Sequence, residues 1–211
     1  MALYREGQLL GIKEAASNQF IHGEKLHVFI DELLSELQRD VDDLTGIMVS
    51  KGPGSYTGLR IGVSAAKGLA YALSLPLYSA PTLGCFPLDE LAQDKAISVL
   101  DARRDEVYYQ IWTRESDRWS AAGPASFERV NPESWMSLLR ENEVAIIGDC
   151  TDKVADLLGT DRPNVHIQES SFPSAAHMGR FIQGAVSEDV AYFEPHYLKD
   201  FVAEKSKKKL L

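Results

Sequence analysis

The sequence holds few of the residues that most often announce chemistry. Two cysteines among 211 residues, Cys85 and Cys150, exclude a disulfide scaffold and a cysteine-rich zinc site. They read as ordinary buried thiols. The five histidines offer no metal pair either. His22 and His27 stand five positions apart, whereas two imidazoles share a helix face at a spacing of three or four. His166, His177 and His196 have no neighbouring cysteine or second histidine. Positive charge is scarce, with 22 Lys and Arg against 31 Asp and Glu and a formal charge of −9. That excludes a broad nucleic-acid-coating surface, which needs clustered cations. Residues 1–10 carry Arg5 and Glu6 and lack the apolar run of a secretory leader. The uncharged stretch Gly68–Leu88 is broken by Pro76, Pro81 and Pro87 and wetted by Ser74, Ser79 and Thr82, so it does not read as a membrane span. The expectation is a soluble cytoplasmic protein with no membrane contact, no metal and no cofactor.

What is present suits a packed globular chain. Hydrophobic residues make up 45% and charged residues 25%, enough for a sizeable core. Ala2–Tyr4 and Gln8–Ala15 read as strands around a turn at Arg5-Glu6-Gly7. A helix over Glu24–Arg39 places Leu26, Phe29, Ile30, Leu33, Leu34 and Leu37 on one face. Gly46–Ser50 reads as a buried strand, Thr57–Ser74 as a helix, Pro76–Ser79 as a strand and Leu83–Gln93 as a helix. From Ala96 a second series begins. Ile97–Leu100, Glu106–Thr113 and Ala125–Val130 are strands. Pro132–Arg140 is a helix capped by Asn131, Glu143–Ile147 a strand and Thr151–Leu158 a helix. Val165–Ile167 is a strand, and Ser174–Val186 a helix capped by Ser174. The second series repeats the element order of the first if one leading strand is missing before Ala2. Two such units with right-handed crossovers give an α/β fold, the duplicated actin-like or ribonuclease H-like architecture, with two mixed sheets flanked by helices. The units divide as 1–94 and 95–190, and the tail 191–211 is expected to return to the first.

Three segments invite a functional reading. Gly52-Pro53-Gly54-Ser55-Tyr56-Thr57-Gly58 joins a strand to a helix. Glycines there let backbone amides approach an anion, or serve only the turn with Ser55 or Thr57 capping the helix. The segment lacks the Gly-Lys-Ser/Thr ending of a phosphate loop and the Gly-x-Ser-x-Gly frame of a nucleophile elbow. In the following helix Gly58, Gly62, Ala66 and Ala70 recur every fourth residue and form a ribbon of small side chains. Glycine in a helix costs about 1 kcal/mol relative to alanine, so something needs the space, either packing within the subunit or a subunit contact. Asp101-Ala102-Arg103-Arg104 fills the first turn of the second series. In an ATPase of this architecture that turn approaches phosphate and needs glycines; here arginines stand instead, and the plain reading is an exposed charged hairpin. Gly52, Gly54, Ser55, Thr57, Asp101 and Arg103 therefore mark at most a degenerate nucleotide region. Lys205-Ser206-Lys207-Lys208-Lys209 is a basic tail that reads as a solvated run with at most weak, salt-sensitive affinity for RNA.

The run Gly52–Val63 with Ala66-Lys67-Gly68-Leu69-Ala70 resembles the signature of the TsaB family, bacterial threonylcarbamoyladenosine biosynthesis proteins once grouped with glycoproteases. Asp101–Tyr108 resembles its second segment and Glu194–Lys199 its C-terminal one. The resemblance implies the duplicated actin-like fold. It implies a non-catalytic scaffold in the modification of the adenosine beside the anticodon of tRNAs that read codons starting with A. The transfer chemistry would lie in a homologous partner, TsaD, with a small ATPase, TsaE, joining the pair. The lone subunit would self-associate as a homodimer, and tRNA would be met through the complex. The contact surface would be the first-unit helices, through Leu26, Phe29, Ile30, Leu33, Gly58, Gly62, Ala66 and Ala70. The competing readings are an actin-like ATPase or phosphotransferase, and a protease; neither has a nucleophile, base and phosphate or oxyanion cradle in the sequence. Family members normally open with a strand ending in an Ile-Asp-Thr-Ser-like turn. This chain has none before Ala2, so an intact relative is expected to carry about ten further residues there, and the first sheet to lack its central strand.

Overall fold

The computed structural model describes residues 1–15, 22–159 and 162–199. The chain opens with a hairpin of β1 (Ala2–Arg5) and β2 (Gln8–Ile12). Its turn residues Glu6 and Gly7 take φ of 53° and 82°, the left-handed pair that matches strand twist in a two-residue hairpin. Helix α1 (His22–Glu36) turns Leu33 and Leu34 inward. Gly11 on β2 is the point of closest approach, where a Cβ would lie 3.0 Å from Leu37. Next comes a parallel β-α-β unit of β3 (Ile47–Ser50), α2 (Tyr56–Ala72) and β4 (Leu77–Ala80), with Ile47 level with Leu77. Ser55 caps α2, its Oγ accepting from the Gly58 amide at 3.3 Å, and Ser74 at φ 54° closes the helix end.

The second half holds β5 (Lys95–Asp101), β6 (Glu106–Glu115), β7 (Arg118–Ala121), β8 (Ser126–Arg129), α3 (Met136–Glu141), β9 (Val144–Gly148), α4 (Thr151–Leu158) and β10 (Val165–Ile167). They form one six-stranded sheet in the order β10-β9-β5-β6-β7, with β8 also on β6. β5 lies at its centre, antiparallel to β6 and parallel to β9. Ile97, Val99, Val107, Val144, Ile146 and Val154 are fully buried around it. Each such side chain contributes about 1.5–3 kcal/mol of burial.

Several elements depart from expectation. Leu83–Gln93 is not a helix but two single 3₁₀ turns, Thr82–Gly84 and Leu88–Glu90. Pro87 stands between them, and Thr82–Phe86 is buried without a polar face. Ser174–Val186 is a 3₁₀ segment, Ala175–Phe181, capped by the Ser174 hydroxyl at 3.0 Å. Pro132–Arg140 contracts to α3 because Trp135 sits at φ 53°; Asn131 instead closes a turn onto the Glu133 amide. β7 is an additional strand. The first sheet, expected to lack its central strand, is two separate pairs, β1-β2 antiparallel and β3-β4 parallel.

The C-terminal segment returns to the first half. Glu188 donates its amide to Leu77 O at 2.8 Å. Val190 and Phe193 pack on Ala66, Ala70 and Leu77, and Lys67 Nζ holds Ala191 O and Phe193 O at 3.0 and 2.9 Å.

Candidate functional site

Three places carry the residues singled out in the sequence, and the structure keeps them apart. The first is the Gly52–Gly58 loop between β3 and α2. Gly52 has φ 114°, and a Cβ there would lie 2.6 Å from His196 O. The glycine is required by the close pass of the C-terminal segment, whose His196 amide donates to Lys51 O at 2.7 Å. The Tyr197 and Tyr56 rings lie 5.0 Å apart, tilted by 35°, and the Arg60 guanidinium lies over the Tyr56 ring at 4.5 Å. The C-terminal segment thus covers Gly52, while Ser55 at the start of α2 stays exposed. Gly54 lies in van der Waals reach of Leu59, and Thr57 is exposed.

The second place is the Asp101 turn between β5 and β6. Arg103 and Arg104 take left-handed φ of 70° and 53°, so the chain reverses without glycine. Lys153, on α4, reaches into the turn. Its ammonium donates to Asp101 Oδ1 at 2.5 Å, Glu106 O at 2.8 Å and Arg104 O at 3.1 Å. Burial works against the Asp101 carboxylate, but Lys153 and the Arg103 amide outweigh it and hold its pKa below the ordinary value. Next to it Asp149 accepts the Asp101 amide at 2.8 Å, while burial pushes its carboxyl above the ordinary range. Burial also raises the Cys150 thiol, and Cys85, likewise buried, is pushed up to about 12. Burial thus disfavours the thiolate at both. Lys199 closes the turn from outside by pairing with Glu106.

The third place is the outer face of α1 and α2. The small-residue ribbon does not all lie on it. Ala66 and Ala70 are buried against Ile47, Val49, Leu77 and Phe193, and a Cβ on Gly62 would meet Val49 at 4.0 Å. Gly58 has only its own cap, Ser55, within reach. At Ala66 and Ala70 the intrasubunit alternative therefore holds. Leu33 is buried, while Leu26, Phe29 and Ile30 are half-exposed. A shallow, mostly apolar groove runs between the helices, lined by Leu26, His27, Ile61, Ser64, Ala65, Gly68 and Leu69. Its α2 side is the next face round from the ribbon.

Lys153, Asp149 and the covering role of His196 were not found by sequence reasoning. Lys153 is 52 positions from Asp101, so no local spacing marks it. Among the described residues no cluster of His, Cys, Asp and Glu is arranged to hold a metal, and no helix is long and apolar enough to cross a membrane. His22's side chain and Lys205–Lys209 lie outside what is described.

With this geometry in place, comparison with known proteins is informative. A family model described as "TsaD: tRNA N6-adenosine threonylcarbamoyltransferase" matches residues 14–192. The tRNA threonylcarbamoyladenosine biosynthesis protein TsaB of Bacillus subtilis is 31% identical over 192 residues, covering 87% of this chain and 82% of that protein. TsaB of Haemophilus influenzae is 31% identical over 123 residues, 56% of this chain and 50% of the relative. A crystal structure from Pseudomonas aeruginosa, of an uncharacterized protein with similarity to peptidase YeaZ, superposes with a TM-score of 0.78. It is 24% identical and covers 94% of this chain and 93% of that one. That last likeness speaks to the fold, and it agrees with the duplicated α/β architecture.

Proposed function

The chain belongs to the TsaB family, and from that premise we propose that it serves tRNA threonylcarbamoyladenosine biosynthesis as a non-catalytic scaffold that docks a TsaD-type catalytic subunit on the α1–α2 face. The observation that carries this reading is the groove between α1 and α2. It is mostly apolar, lined by the small residues Ala65 and Gly68, and open to solvent. Small residues let a partner helix come close, and helices pack at 8–10 Å when side chains at the contact permit it. TsaE would join the pair, the lone subunit would use the same face for a homodimer, and tRNA would be met through the assembly.

The two candidate phosphate turns support a scaffold over an ATPase. The first is partly covered, by His196 at Gly52 and by Tyr197 at Tyr56. The second already holds a cation, the Lys153 ammonium, on the carboxylate of Asp101. An internal ammonium there leaves the turn neutralised without a metal–nucleotide pair.

Two variants separate docking from folding. Ala65→Glu places a charge in the groove, and capture of the catalytic subunit should fall by about a hundredfold or more, as an unpaired charge at an interface centre costs several kcal/mol. Its melting temperature should stay near that of the parent. Gly62→Leu points toward Val49 and should lower the melting temperature of the lone protein first. Wild-type capture by a folded Ala65→Glu protein would rule out this face.

A further inference from the structure

Two hairpin turns, one from each half of the chain, stand on the same cleft. Glu6-Gly7 joins β1 to β2, and Ser116-Asp117 joins β6 to β7. Both residues of each turn take left-handed φ, 53° and 82° in the first and 47° and 64° in the second, as two-residue hairpin loops require. Each turn brings an exposed carboxylate, Glu6 or Asp117, to the cleft. Asp89, Trp119, Arg180 and Ile182 line the rest of it. The cleft holds about 570 Å³, within the range of small-molecule sites and far above the share of one water.

Two of these lining residues hold buried N–H groups with no acceptor among the described residues: Nε and Nη1 of Arg180, and Nε1 of Trp119. Neither side chain is free to turn away. Arg180 Nη2 is held by Asp89 at 2.9 Å and by Phe86 O at 3.2 Å. A Cβ on the preceding Gly179 would lie 2.7 Å from the Tyr4 ring, so this backbone passes tightly against β1. The Trp119 ring packs on the cluster around Phe86, with the Arg114 guanidinium 5.3 Å from its centre. A buried donor without an acceptor is costly, and a charged one more so. Burial accordingly works against the Arg180 charge and lowers its pKa.

Charge selects among ligands. A polyanion such as phosphate would meet the carboxylates of Glu6, Asp89 and Asp117 as well as the guanidinium. A plain cation would leave the orphan donors unmatched. We propose that the cleft binds a small zwitterion of the amino-acid type, its carboxylate accepting from Arg180 and Trp119 and its ammonium facing the Glu6 and Asp117 carboxylates. The donors are shielded from solvent, so the ligand carboxylate reaches them by displacing wall side chains, a common adjustment on binding. The cleft shares no residue with the groove between α1 and α2, and the inference stands apart from docking there.

The test titrates four probes into the full chain at one ionic strength: L-alanine, acetate as the carboxylate alone, ethylammonium as the cation alone, and inorganic phosphate. Heteronuclear NMR of the Trp119 Nε1–H and Arg180 Nε–H signals reads occupancy. L-alanine should move both signals and leave the indoles of Trp112 and Trp135 unmoved. It should bind at least about fivefold tighter than acetate or ethylammonium, since each exposed ion pair adds up to a few fold. Asp117→Asn suits a left-handed position and should keep the parent melting temperature. It should weaken L-alanine about threefold and leave acetate unchanged. Trp119→Phe should weaken both. A Trp119 signal unmoved by L-alanine, acetate binding as tightly as L-alanine, or phosphate displacing it would overturn the zwitterion site. Unchanged L-alanine affinity in Asp117→Asn would overturn the placement of the ammonium.

Discussion

Ile47 and Ile146 hold equivalent places in the two halves, each on the parallel strand that feeds a helix. Ile146 is wholly buried, in a sheet that extends to both sides of its strand. Ile47 is half-exposed, on a strand paired along one edge. The residue type is the same and the strand type is the same; the difference is one neighbouring strand. A hydrophobic strand does not make a core by itself. Buried clusters cover the sheet around β5, whereas every residue of β3 is half-exposed.

The largest expected effect sharpens that contrast. Ile146→Ala should cost about 2–5 kcal/mol, the range for truncation in a closed core. Ile47→Ala should cost about 1 kcal/mol, because much of the side chain already meets water. Chemical denaturation of both variants checks this, and equal losses would mean that the halves are equally packed.

Gly52→Ala comes next. A methyl group there meets His196 O at 2.6 Å in a conformation that L side chains avoid. The cost should be about 1–3 kcal/mol, or the C-terminal segment should lift from Lys51. Limited proteolysis within residues 190–199 distinguishes the two, with faster cleavage if the segment lifts.

The smallest effect lies in the second half. Asp101 has a depressed pKa, so its pairing contributes stability above the ordinary carboxylate value of 3.8 and loses it as pH falls through the folded value. Lys153→Met should raise the Asp101 pKa and shift that loss to higher pH. Asp101 is exposed, so the change in stability should be small. Carboxyl titration by NMR reads the shift directly, and an unchanged Asp101 pKa would remove Lys153 from the account of the turn.

Much of the fold was legible because periodicity and turn residues act locally. The apolar face of α1 and the strands around Ile97 and Tyr109 follow from spacing alone; of the two caps the turn offers, Ser55 and Thr57, the structure takes Ser55. The doubled element order is legible for the same reason. Boundaries failed where one residue's backbone overrode the pattern, as Trp135 did by shortening α3. The site was less legible. Small residues every fourth position said that something packs closely on α2, and the structure answers that at Ala66 and Ala70 it is the protein's own sheet and tail. The Lys153 contact spans two elements and depends on how α4 lies against the β5–β6 turn, which no local rule encodes.

The proposed docking of a catalytic subunit on the outer face of α1 and α2 can be read by amide exchange of the whole chain, with and without a TsaD-type partner. Docking there should slow exchange in α1 and α2 and leave the Asp101–Glu106 turn unchanged. Protection of that turn with α1 and α2 unchanged would contradict it.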